Sequence, residues 1–354
     1  FESGKTWSEA DGDITEAIDF CRFYAADMTN LNQRKRVGGV AGEVSLFSYH
    51  PRGVALVISP WNFPLAILCG MVAAAVVTGN TVVMKPAEQS SVIAGELMKL
   101  LKEAGCPEGV VNFVPGLGEE VGEYLTGHSE IDTILFTGSK TVGLKILEKA
   151  GKVMPGQTHV KKCVIEMGGK NALIIDNDAD LDEAVAGTVY SAFGFQGQKC
   201  SACSRVIVHQ DIYDRFVDRL VETVKSINVG FSEDPKAFMG PVVDKEAYEK
   251  ILGAIEVGKT ESRLDFQGEV PSEGFFVPPT IFSDVDPKSR LAQDEIFGPV
   301  LAVIKAKTID DAIEIANDTE YGLTGGAYSR SPINVEKIKM GLDVGNIYIN
   351  RTIT

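Results

Sequence analysis

The stretch that decides the fold is GVALVISPWNFPLAILCGMVAAAVVTGNTVVMKPAE, which spans residues 53–88. It contains two apolar runs, GVALVISP at 53–60 and NTVVMKP at 80–86, and glycine, asparagine or proline bounds each of them. Continuous apolar runs of this length are typical of strands that are buried on both faces of a sheet. The stretch therefore predicts two buried strands.

A helix is predicted directly after these strands. SSVIAGELMKLLKEAG at 90–105 repeats apolar residues at helical spacing, and Gly105 with Pro107 ends the pattern. VVNFVPG at 110–116 and DTILFTGS at 132–139 predict two further strands, each running into a helix. Strands that alternate with helices predict an α/β fold with a doubly wound, Rossmann-like sheet. The apolar stripe of the first helix consists of Ile93, Leu97, Leu100, Leu101 and Ala104.

The alternation restarts in the middle of the chain and predicts a second domain. NALIID at 171–176 predicts its first strand, and GNIYIN at 345–350 predicts a late one. We therefore expect an NAD-binding domain over residues 1–166 and a second α/β domain, the catalytic one, over 167–343. Residues 344–354 are expected to form a strand that returns toward the cofactor domain.

A short segment before the first buried strand has a different pattern. GEVSLFSYHPR at 42–52 alternates in strand fashion, yet it has no obvious place in the sheet. Exposed strands of this kind can pair with another chain. We therefore expect an oligomerisation hairpin at 42–52, and a homodimer or a larger homo-oligomer.

The composition is that of a globular protein and argues against several functions. The 354 residues, of which 44% are hydrophobic, are too many for one ordinary core and favour two domains. The 34 basic and 49 acidic residues give a net charge of −15, so nucleic acid and anionic membranes are poor partners. The longest apolar stretch, around residues 65–77, is too short to span a bilayer, so we expect no membrane insertion.

The cysteines and the chain ends bear on the compartment. The spacing of the six cysteines is not that of a disulfide framework, which favours a reducing, cytoplasmic location. No signal peptide is visible. The sequence begins at Phe1 without a methionine and stops at Thr354 directly after a strand-like run, so we expect both natural ends to be missing.

GFQGQKCSACSR at 194–205 is the stretch that indicates chemistry. Small residues surround Cys200, so a ligand could reach its thiol. Cys200 and Cys203 also form a C-x-x-C pair, which permits three interpretations. A zinc site would need two further soft ligands that the sequence does not supply at suitable spacing, so no metal is expected. The second interpretation is a redox-active dithiol, and the third is a pair of buried structural thiols.

Two further positions favour a fourth interpretation. Glu166 ends a predicted strand beside Gly168 and Gly169, and Asn62 lies between two prolines at the end of another strand. In doubly wound sheets ligands bind outside the carboxyl ends of the strands. A thiol, a carboxylate and a carboxamide at one site would supply a nucleophile, a general base and an oxyanion donor for covalent acyl chemistry.

Six motifs together resemble the aldehyde dehydrogenase superfamily. SPWNFP, MKPAE, FTGSKTVG, EMGGKN, GQKCSACSR and EIFGPV occur in the order seen in that superfamily, between residues 59 and 300. Within it, GFQGQKCSACSR and the preceding KVMPGQTHVKKCVIEMGGKN resemble the 1-pyrroline-5-carboxylate dehydrogenase branch. That branch oxidises L-glutamate γ-semialdehyde to glutamate in proline degradation.

The resemblance implies the roles of the catalytic and substrate-binding residues. Cys200 matches the nucleophile, and the Asn62 amide with the Cys200 backbone N–H matches the oxyanion site. Glu166 matches the base that activates the hydrolytic water. Ser201 matches the hydroxyl that binds the carboxylate of the substrate, and Phe63 lies in the motif that lines the substrate.

The resemblance also implies an NAD site. Lys85 and Glu88 match the residues that bind the adenosine ribose, and Gly138 with Ser139 matches a pyrophosphate site at a helix N-terminus. Glu295 matches the residue that binds the nicotinamide ribose, with Phe297 against the ring. The remaining matches to the cofactor site are Ser59, Trp61 and Gly122. Because Glu88 would repel a 2′-phosphate, we expect NAD rather than NADP.

One glycine-rich stretch is misleading. PGLGEEVG at 115–122 follows a strand, but its spacing does not fit a dinucleotide fingerprint, and the superfamily places these glycines near the adenine.

More than one function stays open. Glu166 argues against enzymes that pass the acyl group to coenzyme A or phosphate. An inactive nucleotide-binding fragment is the non-enzymatic alternative. The chain ends where the superfamily continues with the loop that completes the carboxylate site, and the parent protein could also carry a proline dehydrogenase domain.

Overall fold

The chain divides into two compact units in the computed structural model, which describes residues 1–353. The amino-terminal unit comprises Glu2 and Ala10–Met167. The carboxy-terminal unit comprises Phe1, Ser3–Glu9 and the described residues from Gly168 onward. Each unit is built on a sheet of its own.

The amino-terminal unit holds the first five helices and the first seven strands. Residues 7–9, at the start of the first helix, belong to the carboxy-terminal unit. In chain order they are α1 (Trp7–Leu31), β1 (Lys35–Arg36), β2 (Leu46–Phe47), β3 (Val54–Ile58), α2 (Ala66–Val77), β4 (Thr81–Lys85), α3 (Ser91–Glu103), β5 (Val111–Phe113), α4 (Glu123–Gly127), β6 (Thr133–Thr137), α5 (Lys140–Ala150) and β7 (Lys162–Glu166).

Five of these strands form a parallel sheet in the order β5-β4-β3-β6-β7. The middle of β3 is completely buried at Leu56 and Val57, because helices cover the strand on both faces, as the apolar run 53–60 predicts. In α3, Ala94 and Leu97 are buried, but Leu100 is 58% exposed. The predicted stripe is therefore wrong at Leu100 and at Ala104, which is exposed directly after the helix ends at Glu103.

The carboxy-terminal unit holds the remaining elements. They are β8 (Asn171–Ile175), α6 (Leu181–Phe193), β9 (Cys203–His209), α7 (Tyr213–Val224), α8 (Lys245–Glu261), β10 (Arg263–Gln267), β11 (Thr280–Ser283), α9 (Arg290–Gln293), β12 (Val300–Ala306), α10 (Ile309–Asn317), β13 (Thr324–Tyr328), α11 (Pro332–Gly341) and β14 (Asn346–Ile349).

The seven strands of this unit form one sheet in the order β10-β11-β12-β9-β8-β13-β14. Only the pairing of β10 with β11 is antiparallel. Strand β8 lies near the middle, and its alternate residues enter two different apolar cores: Ile174 packs in one and Leu173 in the other. NALIID is a nearly continuous apolar run because both faces of this strand are buried.

Two features of the fold bear on the predicted domain boundaries, which stay predictions. Strand β14 pairs with β13 in parallel, so residues 346–349 extend the sheet of the carboxy-terminal unit. The hydrogen bonds that β13 offers on its free edge decide this pairing, and a local pattern does not reveal them. Residues Ser3–Glu9, which the prediction assigned to the first domain, group with the carboxy-terminal unit.

The predicted hairpin starts earlier than its pattern suggests. Strand β1 pairs with β2 in antiparallel fashion, with Lys35 opposite Phe47, so the hairpin spans residues 35–47 rather than 42–52. Leu46 and Phe47 are exposed. Its role in oligomerisation stays a prediction. None of the helices within residues 1–353 combines the length and the apolar character that crossing a membrane requires.

Candidate active site

Four neighbouring strand ends of the amino-terminal unit carry the predicted cofactor and base residues. Strands β4, β3, β6 and β7 are adjacent and parallel, so their carboxyl ends lie along one edge of the sheet. The register aligns Ile58 with Lys85 and Thr137 with Glu166. The residues that follow these strands therefore meet at one edge, where doubly wound sheets bind ligands.

The loop after β3 carries Asn62. The Ser59 N–H donates to the Lys85 carbonyl at 3.3 Å, which fixes the start of the loop beside β4. The Asn62 side chain is buried, while Trp61 and Phe63 on either side of it are half-buried. The loop ends at the first turn of α2, where the Asp13 carboxylate accepts the Ala66 N–H at 3.0 Å. Both ends of the Asn62 loop are thus held by hydrogen bonds.

Lys85 and Glu88 form an ion pair at the end of β4. The Lys85 ammonium is buried, lies 3.4 Å from a Glu88 carboxylate oxygen and donates to the Pro86 carbonyl at 3.1 Å. Glu88 is about half exposed. A Cβ added at Gly122 would lie 3.9 Å from the Lys85 side chain, so this glycine lies close to the lysine stem. The pair leaves Glu88 accessible to a hydroxyl-bearing ligand.

The end of β6 leads directly into the N-terminus of α5. Ser139 is the N-cap residue of this helix, and its hydroxyl accepts the Val142 N–H at 3.4 Å. Gly138 packs so closely on the Phe136 ring that an added Cβ would lie 2.6 Å from it. The free N–H groups of a helix start attract anions, so this position suits a phosphate group.

Glu166 is the last residue of β7. Its carboxylate accepts a long hydrogen bond from the Thr137 hydroxyl at 3.5 Å, and its carbonyl accepts the Gly138 N–H at 3.2 Å. The residue is half-buried. The carboxylate therefore stays close to the sheet edge.

Cys200 lies in the carboxy-terminal unit, between a tight turn at Gly194–Gly197 and strand β9. The Asn171 amide donates to the Cys200 carbonyl at 2.7 Å and to the Ala202 carbonyl at 2.9 Å, which anchors the loop on that side. The Thr324 hydroxyl donates to the Ser201 carbonyl at 3.5 Å. Cys200 and Ser201 are both partly exposed.

The second cysteine of the C-x-x-C pair is in a different environment. Cys203 is 2% exposed, and burial raises the pKa of its thiol to about 12. A neutral buried thiol is a poor nucleophile. Within residues 1–353 no group of three or more His, Cys, Asp or Glu side chains is placed to hold a metal ion. The accessible thiol of the pair is therefore that of Cys200.

Glu295 and Phe297 lie after α9 in the same unit. A Glu295 carboxylate oxygen accepts the Gly169 N–H at 2.8 Å, and burial raises the pKa of Glu295. Phe297 adopts a left-handed backbone with φ of +61°. This conformation is uncommon for a bulky residue and indicates a position held by its surroundings.

The residues present fit a dinucleotide. The Ser59 hydroxyl is buried and finds no hydrogen-bond partner among the described residues, although it lies at the carboxyl edge of the sheet. The Lys85–Glu88 pair offers a carboxylate for ribose hydroxyls, and the α5 N-terminus offers N–H groups for phosphate. An orphaned hydroxyl at the edge that carries these two groups is expected where a ligand completes the hydrogen bonding.

Comparison with known proteins decides the family. The sequence model of the aldehyde dehydrogenase family matches residues 1–354. The chain belongs to the aldehyde dehydrogenase family. Its α/β fold and the resemblance carried by the six motifs are thereby confirmed.

Several relatives match the whole chain. It is 52% identical to 1-pyrroline-5-carboxylate dehydrogenase of Anoxybacillus flavithermus and 49% identical to that of Bacillus subtilis, and it spans 69% of each. A crystal structure of the Thermus 1-pyrroline-5-carboxylate dehydrogenase with bound NAD superposes with a TM-score of 0.98 at 48% identity, and the chain covers 69% of it. Proline utilization A (PutA) of Bdellovibrio bacteriovorus superposes with a TM-score of 0.99 at 65% identity, and the chain covers 37% of it.

The aldehyde dehydrogenase motifs fall in both units. Ser59, Asn62, Lys85, Ser139 and Glu166 share one edge of the amino-terminal sheet. The carboxy-terminal unit contributes Cys200, Ser201, Glu295 and Phe297. The roles that the resemblance implies for these residues stay predictions.

One residue of the aldehyde dehydrogenase was missed by sequence reasoning. Lys170 is completely buried, its ammonium has no hydrogen-bond partner in the described chain, and burial lowers its pKa to about 7. Arg205 contributes to the shift in the same direction, while Glu295 opposes it. The signal that could have found it is a lysine directly before the fully buried run NALIID.

Proposed function

We propose that the chain catalyses the NAD-dependent oxidation of L-glutamate γ-semialdehyde to L-glutamate through a thioester on Cys200. The observation that carries the choice of substrate is the pattern of identities. The chain is 52% identical to a 1-pyrroline-5-carboxylate dehydrogenase over its whole length, but only 32% identical to the betaine aldehyde dehydrogenase of Staphylococcus aureus. A semialdehyde that carries a carboxylate is therefore favoured over a cationic aldehyde.

The first half of the proposed cycle depends on Cys200 and Asn62. The Cys200 sulfur forms a bond to the aldehyde carbon, and the carbonyl oxygen becomes an oxyanion. The Asn62 amide and the Cys200 backbone N–H donate to that oxyanion, which lowers the barrier by about 3 kcal/mol per donor in comparable sites. When bound, NAD supplies the acceptor for the hydride that leaves the same carbon. The product of this half is a thioester on Cys200.

The second half depends on Glu166. Its carboxylate takes a proton from water, and the water oxygen attacks the thioester carbon. The bond from carbon to the Cys200 sulfur then breaks, which releases the carboxylic acid and restores the thiolate. Transfer to coenzyme A or phosphate would have no use for this base, so hydrolysis is the favoured outcome. Ser201 is proposed to bind the carboxylate of the substrate.

Several wider features belong to the same proposal. The hairpin of β1 and β2 exposes Leu46 and Phe47, which supports pairing with a second copy in a homodimer or larger homo-oligomer. The likeness to PutA of Bdellovibrio bacteriovorus supports a parent protein that carries, or works with, a proline dehydrogenase. The six free cysteines favour a reducing compartment, which supports a cytoplasmic location.

The test is NADH formation by the enzyme with three aldehydes: glutamate γ-semialdehyde, propionaldehyde and betaine aldehyde. We expect a kcat/KM at least about 100-fold higher for the semialdehyde, because a bound carboxylate contributes several charge-assisted hydrogen bonds. Cys200→Ser should abolish turnover, while the matched control Cys203→Ser should retain it. Equal rates with all three aldehydes would contradict the substrate, and turnover by Cys200→Ser would contradict the thioester.

A further inference from the structure

The loop that precedes Cys200 has an unusual backbone. Phe195, Gln196 and Gly197 follow one another with φ of +48°, +56° and +67°. Glycine adopts this left-handed conformation freely, but a phenylalanine and a glutamine do so only when other contacts hold them there. Cys200 follows three residues later. The conformation of this loop therefore fixes where the Cys200 backbone begins.

Gln196 ties the loop to two carbonyl groups. Its side chain is 1% exposed, and its amide donates to the Gly4 carbonyl at 3.0 Å and to the Pro241 carbonyl at 2.8 Å. Gly4 has a φ of +71°, and an added Cβ would lie 2.3 Å from the Pro241 carbonyl oxygen. The segment around Gly4 thus packs against Pro241, whose carbonyl also accepts from Gln196, only because residue 4 has no side chain.

Glu9 ties the loop at its other end. Its carboxylate lies 3.2 Å from the Lys199 ammonium, and both side chains are largely buried, with 14% and 7% exposure. The Lys199 ammonium also lies 5.4 Å from the centre of the Tyr190 ring. Between the two ties, the Lys5 ammonium lies 4.6 Å from the centre of the Phe195 ring. Loss of one partner from a buried ion pair leaves the other charge unpaired, which costs folding stability. Because Lys199 directly precedes Cys200, this cost would fall on the backbone next to Cys200.

Three contacts thus connect residues Ser3–Glu9 to residues 195–199, and all of them lie within the carboxy-terminal unit. On the far side, Asn171 holds the Cys200 carbonyl. If the contacts to Ser3–Glu9 were lost, residues 195–197 could relax to ordinary φ values, and the following residues would move. A nucleophile must stay within a few tenths of an ångström of its productive position, so such a shift is costly for chemistry.

We propose that Ser3–Glu9 is a positioning segment for Cys200, which it holds through Gln196 and through the Glu9–Lys199 ion pair. This inference rests on the proposed function, in which Cys200 is the nucleophile. In the proposed cycle none of the reacting atoms belongs to this segment, so its residues are positioning residues and not catalytic ones. The segment sets the position of the Cys200 thiol and of the Cys200 backbone N–H.

The experiment compares Glu9→Gln, Lys199→Gln, their double variant and Gln196→Ala in the enzyme. We expect each single variant to lower kcat about tenfold or more with the KM for NAD unchanged, and the double variant to be little worse than either single variant. Lys199→Arg keeps the ion pair and should recover most of the activity. Iodoacetamide labelling followed by mass spectrometry should show slower alkylation of Cys200 in the damaged variants, with the half-exposed Cys106 as an internal reference.

A matched control separates positioning from simple loss of stability. Val224→Ala removes buried methyl groups from α7, at a position with no part in the three contacts, and should lower the melting temperature without changing kcat or Cys200 labelling. If the ion-pair variants lower only the melting temperature, as Val224→Ala does, the segment is merely structural and the inference is overturned. Glu9→Gln is a near-isosteric change, so this outcome can be read even if Gln196→Ala does not fold. If Cys200→Ser still turns over, the proposed function fails instead.

Discussion

The Gly169 backbone N–H and the Glu295 carboxylate are joined by a hydrogen bond of 2.8 Å, although 126 positions separate the two residues. This contact connects the turn that follows Glu166 to the loop that carries Phe297. It also keeps Glu295 close to the Gly168 backbone, where an added Cβ would lie 2.2 Å from both carboxylate oxygens. The side chain of Glu295 can therefore keep its position only while residue 168 is glycine.

Gly168→Ala is expected to displace the Glu295 carboxylate. In the proposed function Glu295 binds the nicotinamide ribose, so loss of one charge-assisted hydrogen bond should weaken NAD binding by about 10- to 100-fold. Calorimetric titration with NAD measures the change. Gly253→Ala, where nothing lies within 4 Å of the new methyl group, is the control and should bind NAD normally. Normal binding by Gly168→Ala would show that Glu295 does not contact the cofactor.

Iodoacetamide should label Cys200 faster than Cys203. Burial raises the pKa of Cys203 to about 12, so its thiolate is scarce at neutral pH, and its thiol is also hidden from the reagent. Mass spectrometry of the digested protein gives the two rates, and Cys203→Ser should leave the rate at Cys200 unchanged. Faster labelling of Cys203, with protection by NAD, would reverse the assignment of the nucleophile.

Glu166→Gln should separate the two half-reactions. Thioester formation does not need the carboxylate as a base, but hydrolysis does, so we expect an NADH burst close to one equivalent and a steady rate lowered about 100-fold or more. Stopped-flow absorbance resolves the burst. Thr137→Val, which removes only the 3.5 Å hydrogen bond to this carboxylate, is the control and should retain steady turnover. A burst that falls as much as the steady rate would mean that Glu166 acts before the thioester forms.

Glu88→Gln should narrow the preference for NAD over NADP. The half-exposed Glu88 carboxylate can accept from ribose hydroxyls and would repel a 2′-phosphate, while Lys85 is already paired with it. We expect NADP to bind about tenfold more tightly to the variant and NAD to bind more weakly. Glu96→Gln, on the exposed side of α3, provides a change of equal charge without this effect. An unchanged ratio of the two affinities would exclude Glu88 as the discriminating residue.

Lys170→Met should stabilise the fold at neutral pH, and the gain should shrink as the pH rises. The pKa of Lys170 is about 7 in the folded chain, against an ordinary value near 10.5, so between these values the unfolded chain binds more protons. The free energy of unfolding of the wild-type protein therefore rises with pH in this window because of Lys170, and the methionine variant lacks that rise. Chemical denaturation of the wild-type protein and of Lys170→Met at several pH values from 7 to about 10 gives the two free energies of unfolding to compare. Lys337→Met, which removes an exposed lysine, should show no such trend. A gain independent of pH would refute the lowered pKa.

Much of the architecture is determined locally and could be predicted. Strands buried on both faces must be continuously apolar, which placed β3, β4 and β8 within a residue or two, and Gly105 with Pro107 marked where α3 ends. The glutamate, asparagine and cysteine of the site could be selected because each follows a strand end or lies among small residues. These features depend on neighbours in the chain, so the sequence by itself determined them.

Other features depend on contacts between distant residues, and only the tertiary structure decided them. Strand β14 joins β13 because that strand offers a free edge, and the 58% exposure of Leu100 does not follow from its helical spacing. The assignment of Ser3–Glu9 to the carboxy-terminal unit depends on Gln196 and Lys199, which lie about 190 residues further along. The burial that raises the pKa of Cys203 and lowers that of Lys170 is likewise set by the surrounding core. A local pattern reports which groups avoid water, whereas the partner that covers each of them is fixed by packing across the whole unit.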